Sequence, residues 1–139
     1  ADGGAPAPGS RTGRRRPPVR TIVVVEDQHD SREMLRRLLA LDGYEVRAAK
    51  DGEEGIELIL AQRPQVAIVD LGLPKINGYG VAKNVRARLG DQILLIALTG
   101  HGSPEDIRAA LDAGFDEHIV KPLDLQRLKR LLNPPAGGG

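Results

Sequence analysis

The feature that most limits how this 139-residue chain can fold is a series of short apolar runs, each followed at once by a polar side chain. Short β-branched runs of this kind are typical of strands buried on both faces of a parallel sheet. The runs and the polar residues after them are 22–25 with Glu26 and Asp27, 66–69 with Asp70, 93–98 with Thr99, and 119–120 with Lys121. In parallel sheets, ligands bind beyond the carboxyl ends of the strands. We therefore expect three carboxylates, a hydroxyl and an ammonium to meet in one small volume.

Helical patterns separate these runs, so that strand and helix alternate five times between residues 21 and 133. Residues 30–33 offer a capping box for the first helix. The apolar positions of that helix are Met34, Leu35, Leu38, Leu39 and Leu41. Residues 44–49 form the least apolar strand, which suits a sheet edge. The alternation predicts an α/β protein with a doubly wound, flavodoxin-like (βα)5 parallel sheet in the strand order 2-1-3-4-5.

The two ends of the chain lack the apolar content that an ordered segment needs. Residues 1–20 are rich in Gly, Pro and Arg and carry a net charge of +4, which leaves the rest of the chain mildly acidic. Such a composition does not bury enough apolar surface to offset the entropy of ordering. We therefore expect a disordered linker over residues 1–20, one folded domain over residues 21–133 and a disordered tail over residues 134–139.

Composition also excludes several classes of function. The absence of cysteine excludes disulfides and a thiol nucleophile. With two tyrosines, one phenylalanine and no tryptophan, the chain lacks the aromatic platform on which single-stranded nucleic acid stacks. No apolar stretch approaches the roughly 20 residues that span a bilayer. We expect a cytoplasmic domain that contacts no membrane and binds no specific nucleic acid.

The predicted strand order reverses between the strands that end in Asp27 and Asp70, and the acidic residues at this topological switch point indicate a divalent cation. Glu26 and Asp27 face Asp70 across that point, and such carboxylates repel one another unless a cation lies between them. Hard oxygen ligands in an incomplete protein shell suit Mg²⁺, which commonly binds together with phosphate oxygens. Lys121 and Thr99 supply a charge and a hydrogen bond for a phosphoryl group. Asp70, alone at the end of a central strand, is the best placed nucleophile, which would form an acyl phosphate.

Four motifs, in order and at characteristic spacing, give the chain a family resemblance. They are VVVEDQ, AIVDLGLPKINGYG, LLIALTG and HIVKPLD. Residues 21–133 resemble a response-regulator receiver domain, the phosphoacceptor module of two-component signalling. The resemblance implies phosphorylation of Asp70, with Asp27 as a direct Mg²⁺ ligand and Glu26 acting mainly through water. It also implies the backbone carbonyl of Gly72 as a further ligand, and Asp70 itself in the metal shell.

The resemblance further implies a switch. Thr99 is the expected switch hydroxyl, Lys121 the phosphate counter-ion, and the bond to Pro122 a cis peptide. The family usually has Tyr or Phe three residues before the lysine, where this chain has His118. In receivers that ring couples the site to the face formed by the fourth helix, fifth strand and fifth helix. His118 is thus the expected switch residue, with a coupling that a smaller, polar ring alters; a role as a bystander stays open.

Two classes of function follow from these residues. In the first, a signalling module takes a phosphoryl group from a sensor histidine kinase, or from its dimerisation and phosphotransfer domain. It then binds a partner or passes the group to a histidine phosphotransfer protein. In the second, the chain is a Mg²⁺-dependent phosphatase with an aspartate nucleophile, but that class needs an acid where Gly72 stands. The basic linker favours the terminal receiver of a hybrid sensor kinase over a free-standing regulator.

Overall fold

Five strands and five helices alternate along residues 18–133, the part of the chain that the computed structural model describes. The strands are β1 (Thr21–Val25), β2 (Glu45–Ala49), β3 (Val66–Asp70), β4 (Leu94–Thr99) and β5 (Glu117–Val120). The helices are α1 (His29–Leu41), α2 (Gly52–Gln62), α3 (Gly78–Leu89), α4 (Pro104–Ala113) and α5 (Leu125–Leu132). Within these residues, no helix combines the length and the apolar character needed to cross a membrane.

All strand pairs are parallel, and the sheet order is β2-β1-β3-β4-β5. The order confirms the sequence prediction, including the switch point between β1 and β3. Every residue of β3 and β4 is buried, whereas β2 at one edge alternates between exposed and covered positions. The strands with continuous apolar runs are thus central, since only they can be covered on both faces.

Helices cover the two faces of the sheet and divide the core in two. On one face, α1 and α5 pack on the sheet through Leu35, Leu39, Leu128 and Leu132. On the other face, α2, α3 and α4 pack through a larger apolar cluster that includes Ile59, Val81, Val85 and Ala110. This three-layer arrangement leaves the carboxyl ends of the strands uncovered by helices, which is where the polar residues after the apolar runs lie.

Side-chain caps start four of the five helices, and α1 is the exception. Asp51, Asn77, Ser103 and Asp124 each accept a hydrogen bond from a backbone N–H in the first turn of α2, α3, α4 and α5. The capping box predicted at residues 30–33 is wrong, because α1 begins at His29 after Gln28, whose side chain makes no cap hydrogen bond. Residues 30–33 therefore lie inside the helix.

The apolar face of α1 is narrower than its sequence indicates. Leu35 and Leu39, four residues apart, are the buried pair, whereas Met34 and Leu41 are exposed. A helix on the outside of a three-layer fold buries only the stripe that faces the sheet. Met34 and Leu41, although apolar, therefore lie outside that stripe.

The first residues described, 18–20, are held against the domain, so the predicted linker ends before residue 20. The side chain of Gln65 accepts a hydrogen bond from Arg20 N at 2.6 Å and donates one to Pro18 O at 3.0 Å. Val19 packs against the core on the α1 side. The remaining linker and the predicted tail at 134–139 lie outside the described residues.

Candidate functional site

The sheet brings the chemically active side chains to one edge. Asp70 is the last residue of β3, and Glu26 and Asp27 directly follow the neighbouring β1. Thr99 ends β4, on the other side of β3, and Lys121 directly follows β5. Because the strands are parallel and in register, all five residues lie beyond the same edge, as the apolar runs predicted.

Three carboxylates form the centre of the site. One oxygen from each of Glu26, Asp27 and Asp70 lies within 4.8 Å of the others. Glu26 and Asp70 are buried and Asp27 is half-buried. The cluster meets solvent on the Asp27 side, so an ion can reach it without the fold opening.

Lys121 is the cation that this cluster contacts. Its Nζ lies 2.7 Å from Asp70 Oδ2 and 3.4 Å from Glu26 Oε1. The Lys121 side chain is 37% exposed, whereas those of Asp70 and Glu26 are 8% and 2% exposed. One ammonium facing three carboxylates leaves an excess of negative charge. Because the Lys121 side chain is partly exposed, its ammonium can move toward a bound ligand.

Burial and neighbouring charges shift two pKa values in the site. Burial raises the pKa of the Glu26 carboxyl, and the charge of Asp70 adds to this, against the backbone N–H of Gln28 and the charge of Lys121. Burial lowers the pKa of Lys121, but its hydrogen bond and charge interaction with Asp70, aided by Glu26, outweigh that effect and leave the pKa raised. Protonated lysine is therefore strongly favoured here, while ionised Glu26 is disfavoured until a cation arrives.

Backbone N–H groups orient two of the acids. Gly72 N donates to Asp70 Oδ1 at 2.8 Å, and Gln28 N donates to Glu26 Oε2 at 3.0 Å.

A Cβ atom at Gly78 would lie 2.6 Å from Asp70 O, which is closer than real contacts allow. Glycine at 78 thus lets the loop that begins at Gly72 pack tightly against the end of β3. The expected role of the Gly72 carbonyl as a metal ligand remains a prediction.

Thr99 is buried at the end of β4, with its hydroxyl turned to its own loop. Thr99 Oγ1 accepts from His101 N at 3.4 Å and from Gly102 N at 3.3 Å. Gly102 has φ +67°, and a side chain there would meet the methyl groups of Val120 on β5. The loop that follows Thr99 is thus in contact with the strand that leads to Lys121.

The remaining predicted residues lie on β5 and just after it. His118 is half-buried opposite Ala97 of β4, and its carbonyl accepts a hydrogen bond from Arg127 at 2.9 Å. Lys121 N donates to Thr99 O at 2.8 Å, and the Lys121–Pro122 peptide bond is cis. The cis bond agrees with the resemblance, whereas the switch role of His118 remains a prediction.

Sequence reasoning missed Arg32, which contacts the backbone of the acidic pair. Arg32 Nη1 donates to Glu26 O at 3.0 Å and to Asp27 O at 3.3 Å. The only sequence signal is an arginine in the first turn and a half of the helix after the acids. Charged residues are common near the start of helices, so the signal has little specificity.

The donor set fits a hard divalent cation. All three side chains offer carboxylate oxygens, the ligands that Mg²⁺ and Ca²⁺ prefer, and they come from two adjacent strand ends. Burial raises the pKa of Glu26 by more than the backbone N–H of Gln28 and the charge of Lys121 lower it, and a bound cation would favour the ionised form. Three protein ligands leave room for water and for a phosphate oxygen, the shell that is typical of Mg²⁺.

A five-stranded doubly wound sheet with three acids, a threonine and a lysine at its carboxyl edge is the arrangement expected of a receiver domain. The response regulator receiver domain family matches residues 22–133, and the chain belongs to this family. It is a receiver domain of two-component signalling. Resemblance and structure thus agree on the family.

Relatives and solved structures support the assignment. The response regulator MprA of Mycolicibacterium vanbaalenii is 40% identical over 111 residues, which are 80% of this chain and 47% of that protein. The chain therefore spans about half the length of the curated relatives it matches. The chemotaxis protein CheY4 of Vibrio cholerae has a TM-score of 0.77 at 29% identity, over 82% of this chain and 96% of that one.

A third similar protein was solved with a metal. The receiver domain of the sensor histidine kinase PA1611 of Pseudomonas aeruginosa has a TM-score of 0.75 at 29% identity, over 82% of this chain and 94% of that one. Its structure has a magnesium ion coordinated in the active site cleft. That ion belongs to a protein of the same fold, which makes Mg²⁺ the first cation to test here.

Proposed function

We propose that Asp70 accepts a phosphoryl group from a phosphohistidine in a Mg²⁺-dependent reaction, with Glu26, Asp27 and Asp70 as the cation site. The observation that carries the proposal is the contact of Asp70 with Lys121 at 2.7 Å inside a cluster of three carboxylates. A structural ion pair has no need of two further acids, whereas phosphoryl transfer needs a nucleophile, a cation site and a counter-ion in one place.

The transfer is an in-line displacement at phosphorus. A carboxylate oxygen of Asp70 attacks, a P–O bond forms as the P–N bond of the phosphohistidine breaks, and the imidazole leaves with the electron pair and takes up a proton. Water later attacks the acyl phosphate and restores the carboxylate with release of inorganic phosphate. A bound Mg²⁺ would neutralise charge on the phosphoryl oxygens, and the carbonyl of Gly72 is proposed to complete its protein shell.

Both oxygens of Asp70 are occupied before the reaction, by Gly72 N–H and by Lys121. We infer that Lys121 transfers its contact from Asp70 Oδ2 to a phosphoryl oxygen as the new bond forms. Its side chain is flexible and partly exposed, so the ammonium can move without a backbone change. The raised pKa keeps Lys121 charged throughout, which stabilises the transition state and the product.

Thr99 and the β4–α4 loop carry the signal outward in this proposal. The Thr99 hydroxyl accepts from the N–H groups of His101 and Gly102, and its own O–H remains a donor that is proposed to reach a phosphoryl oxygen. Since Gly102 contacts Val120, a shift of this loop would reach the face formed by α4, β5 and α5. Leu111 and Val120 are large apolar residues exposed on α4 and β5, which suits a face that binds a partner or a histidine phosphotransfer protein.

The donor of the phosphoryl group is proposed to be a sensor histidine kinase or its dimerisation and phosphotransfer domain. A hybrid kinase that contains this receiver and a kinase separate from it are both compatible with the site. Phosphatase activity on free substrates is the less favoured alternative, because Gly72 offers no general acid two residues after the nucleophile.

Intact mass after incubation with acetyl phosphate and Mg²⁺ tests the proposal. We expect one base-labile phosphoryl group on the wild type and none on Asp70→Asn. Wild-type protein with chelator in place of Mg²⁺ is the matched control and should remain unlabelled. Equal labelling of the wild type and Asp70→Asn would disprove the assignment of Asp70.

A further inference from the structure

We propose that Arg32 is a positioning residue of the cation site, which holds the backbone of Glu26 and Asp27 so that their carboxylates face Asp70. The inference rests on the proposed function, since it concerns the affinity of the same site for Mg²⁺. Arg32 lies on α1 and contacts neither Asp70 nor Lys121 among its hydrogen bonds. Its role would therefore be exerted through the β1–α1 loop, residues 26–28.

The guanidinium binds carbonyls rather than carboxylates. Arg32 Nη1 donates to Glu26 O at 3.0 Å and to Asp27 O at 3.3 Å, in partly buried surroundings. Side chains of a helix lean toward its N-terminus, so an arginine early in α1 reaches back to the end of β1. Two successive carbonyls joined to one nitrogen fix the peptide planes on either side of Asp27. The acidic side chains themselves are left available for a cation.

Within the described residues, few other hydrogen bonds hold the β1–α1 loop in position. Glu26 N donates to Ala49 O at 3.0 Å, and Gln28 N donates to Glu26 Oε2 at 3.0 Å. Gln28 provides no side-chain cap for α1, although its carbonyl accepts from Arg32 N at 2.9 Å. Arg32 thus contacts the loop through both its backbone and its side chain. The guanidinium donates to carbonyls ahead of the helix, whereas the side-chain caps of the other four helices accept from N–H groups of the first turn.

Because Arg32 is positively charged, the direction of the change in Mg²⁺ affinity on its removal tests the inference. A guanidinium beside a cation site repels the cation, so an arginine that acted by charge alone would weaken Mg²⁺ binding. Its removal would then tighten binding. An arginine that positions the ligands has the opposite effect, because the carboxylates lose their arrangement when it is removed. Residues that orient metal ligands typically contribute about 10-fold to 100-fold in affinity.

The experiment is a Mg²⁺ titration of the purified chain, followed by the backbone amide signals of residues 26–28 and 70–72. The variants are Arg32→Met, which keeps the aliphatic stem, and Arg32→Lys, which keeps the charge but loses the planar fork. Arg37→Met is the matched control, because Arg37 is an exposed arginine on the same helix whose nearest acid, Glu33, is 3.9 Å away. Melting without Mg²⁺ and the amide signals of β3 and β4 report on the fold independently.

We expect Arg32→Met to weaken Mg²⁺ binding by roughly 10-fold, Arg32→Lys to weaken it less, and Arg37→Met to leave it unchanged. Phosphorylation by acetyl phosphate should need more Mg²⁺ in Arg32→Met yet reach a similar rate at saturation, the pattern of a binding defect. Unchanged or tighter binding in Arg32→Met would overturn the inference, as would equal weakening in Arg37→Met.

Three further outcomes would distinguish failure of the inference about Arg32 from failure of the proposed function. If Arg32→Met does not fold, Arg32→Lys decides alone, and wild-type affinity in that variant overturns the inference. If the wild type binds no Mg²⁺, the cation site and the role of Arg32 both fail. If the wild type binds Mg²⁺ with the same affinity as both variants, only the role of Arg32 fails.

Discussion

An ion pair joins two separate elements at each end of the sheet, and the two pairs differ in what surrounds them. At the amino end, Arg86 on α3 pairs with Asp116 before β5 at 2.6 Å. At the carboxyl end, Lys121 pairs with Asp70 at 2.7 Å. The distances are nearly equal, so distance alone does not tell a structural pair from a functional one.

The ion pair at the amino end is closed, in the sense that its charges balance and its side chains are largely buried. Arg86 also donates to the carbonyls of Gly114, Gly90 and Ile93, each within 2.8 Å, and Asp116 accepts from Leu95 N at 2.9 Å. Its side chains are 15% and 8% exposed. One cation meets one acid, and the other donors of Arg86 contact backbone. A network of this kind stabilises the fold and leaves nothing for a ligand to bind.

The pair at the carboxyl end is open. Three acids meet one lysine, which is more than twice as exposed as Arg86. An ion pair alone therefore does not mark the end of the sheet that binds ligands. The marks of that end are an excess of carboxylates over cations and a cation that is exposed to solvent.

Removing Arg86 should have the largest effect on stability. Arg86→Met removes the guanidinium that faces the buried Asp116 carboxylate, and breaking a buried ion pair typically costs about 3–5 kcal/mol in the free energy of unfolding. Urea denaturation measures this, and Arg88→Met, an exposed arginine on the same helix, is the control. The variant should still be phosphorylated at temperatures where it is folded. A loss no greater than in Arg88→Met would show that the amino-end pair is not a structural element.

Adding Mg²⁺ should stabilise the open end. A ligand at 100 times its dissociation constant stabilises the folded state by about 2.7 kcal/mol. We expect thermal melting of the wild type to shift upward with Mg²⁺, and Asp27→Ala to lose most of that shift. Glu26→Gln should keep more of it, because Glu26 is expected to act mainly through water. Retention of the full shift in Asp27→Ala would refute the ligand assignment.

The two ends also differ in how far the sequence predicts them. The sequence predicts the fold from its apolar runs, and the open site from the polar residues that follow them: the acids, Thr99 and Lys121. Both predictions succeed because strand burial and strand ends follow from local patterns. Contacts from a side chain to a distant backbone have no local pattern. The Arg86 network spans residues about 30 apart, and Gln65 reaches residues 18–21. Neither could be derived from composition or periodicity.

The β1–α1 junction shows the same limit at short range. Residues 30–33 match a capping box, but α1 begins earlier, at His29, and Arg32 inside the helix donates to the backbone of Glu26. Thr99 was predicted as a hydroxyl for a phosphoryl group, and its hydrogen bonds to the N–H groups of His101 and Gly102 could not be foreseen. Sequence identifies which groups reach the edge of the sheet, but not which partners hold them there.

Glu26→Gln should stabilise the protein in the absence of Mg²⁺, by less than the Mg²⁺ effect. Burial raises the pKa of Glu26, so its contribution to the free energy of unfolding is greatest when the carboxyl is protonated and is lost as pH rises through the folded pKa. Glutamine does not ionise, so Glu26→Gln does not lose this stability as pH rises. Urea denaturation at mildly acidic and neutral pH should therefore show a stability gain for the variant that grows with pH. A gain that does not change with pH would contradict the assignment to Glu26.

The smallest effect is expected from a third ion pair, between Lys129 on α5 and Asp42 after α1, which are 3.1 Å apart. This pair also lies at the amino end, but its side chains are 47% and 37% exposed. Solvent screens exposed charges, so Lys129→Met should cost less than about 1 kcal/mol, and 1 M salt should abolish most of that difference. Urea denaturation of both proteins at low and high salt measures the effect. A loss as large as that of Arg86→Met would show that position at the amino end, and not closure of the network, gives an ion pair its structural role.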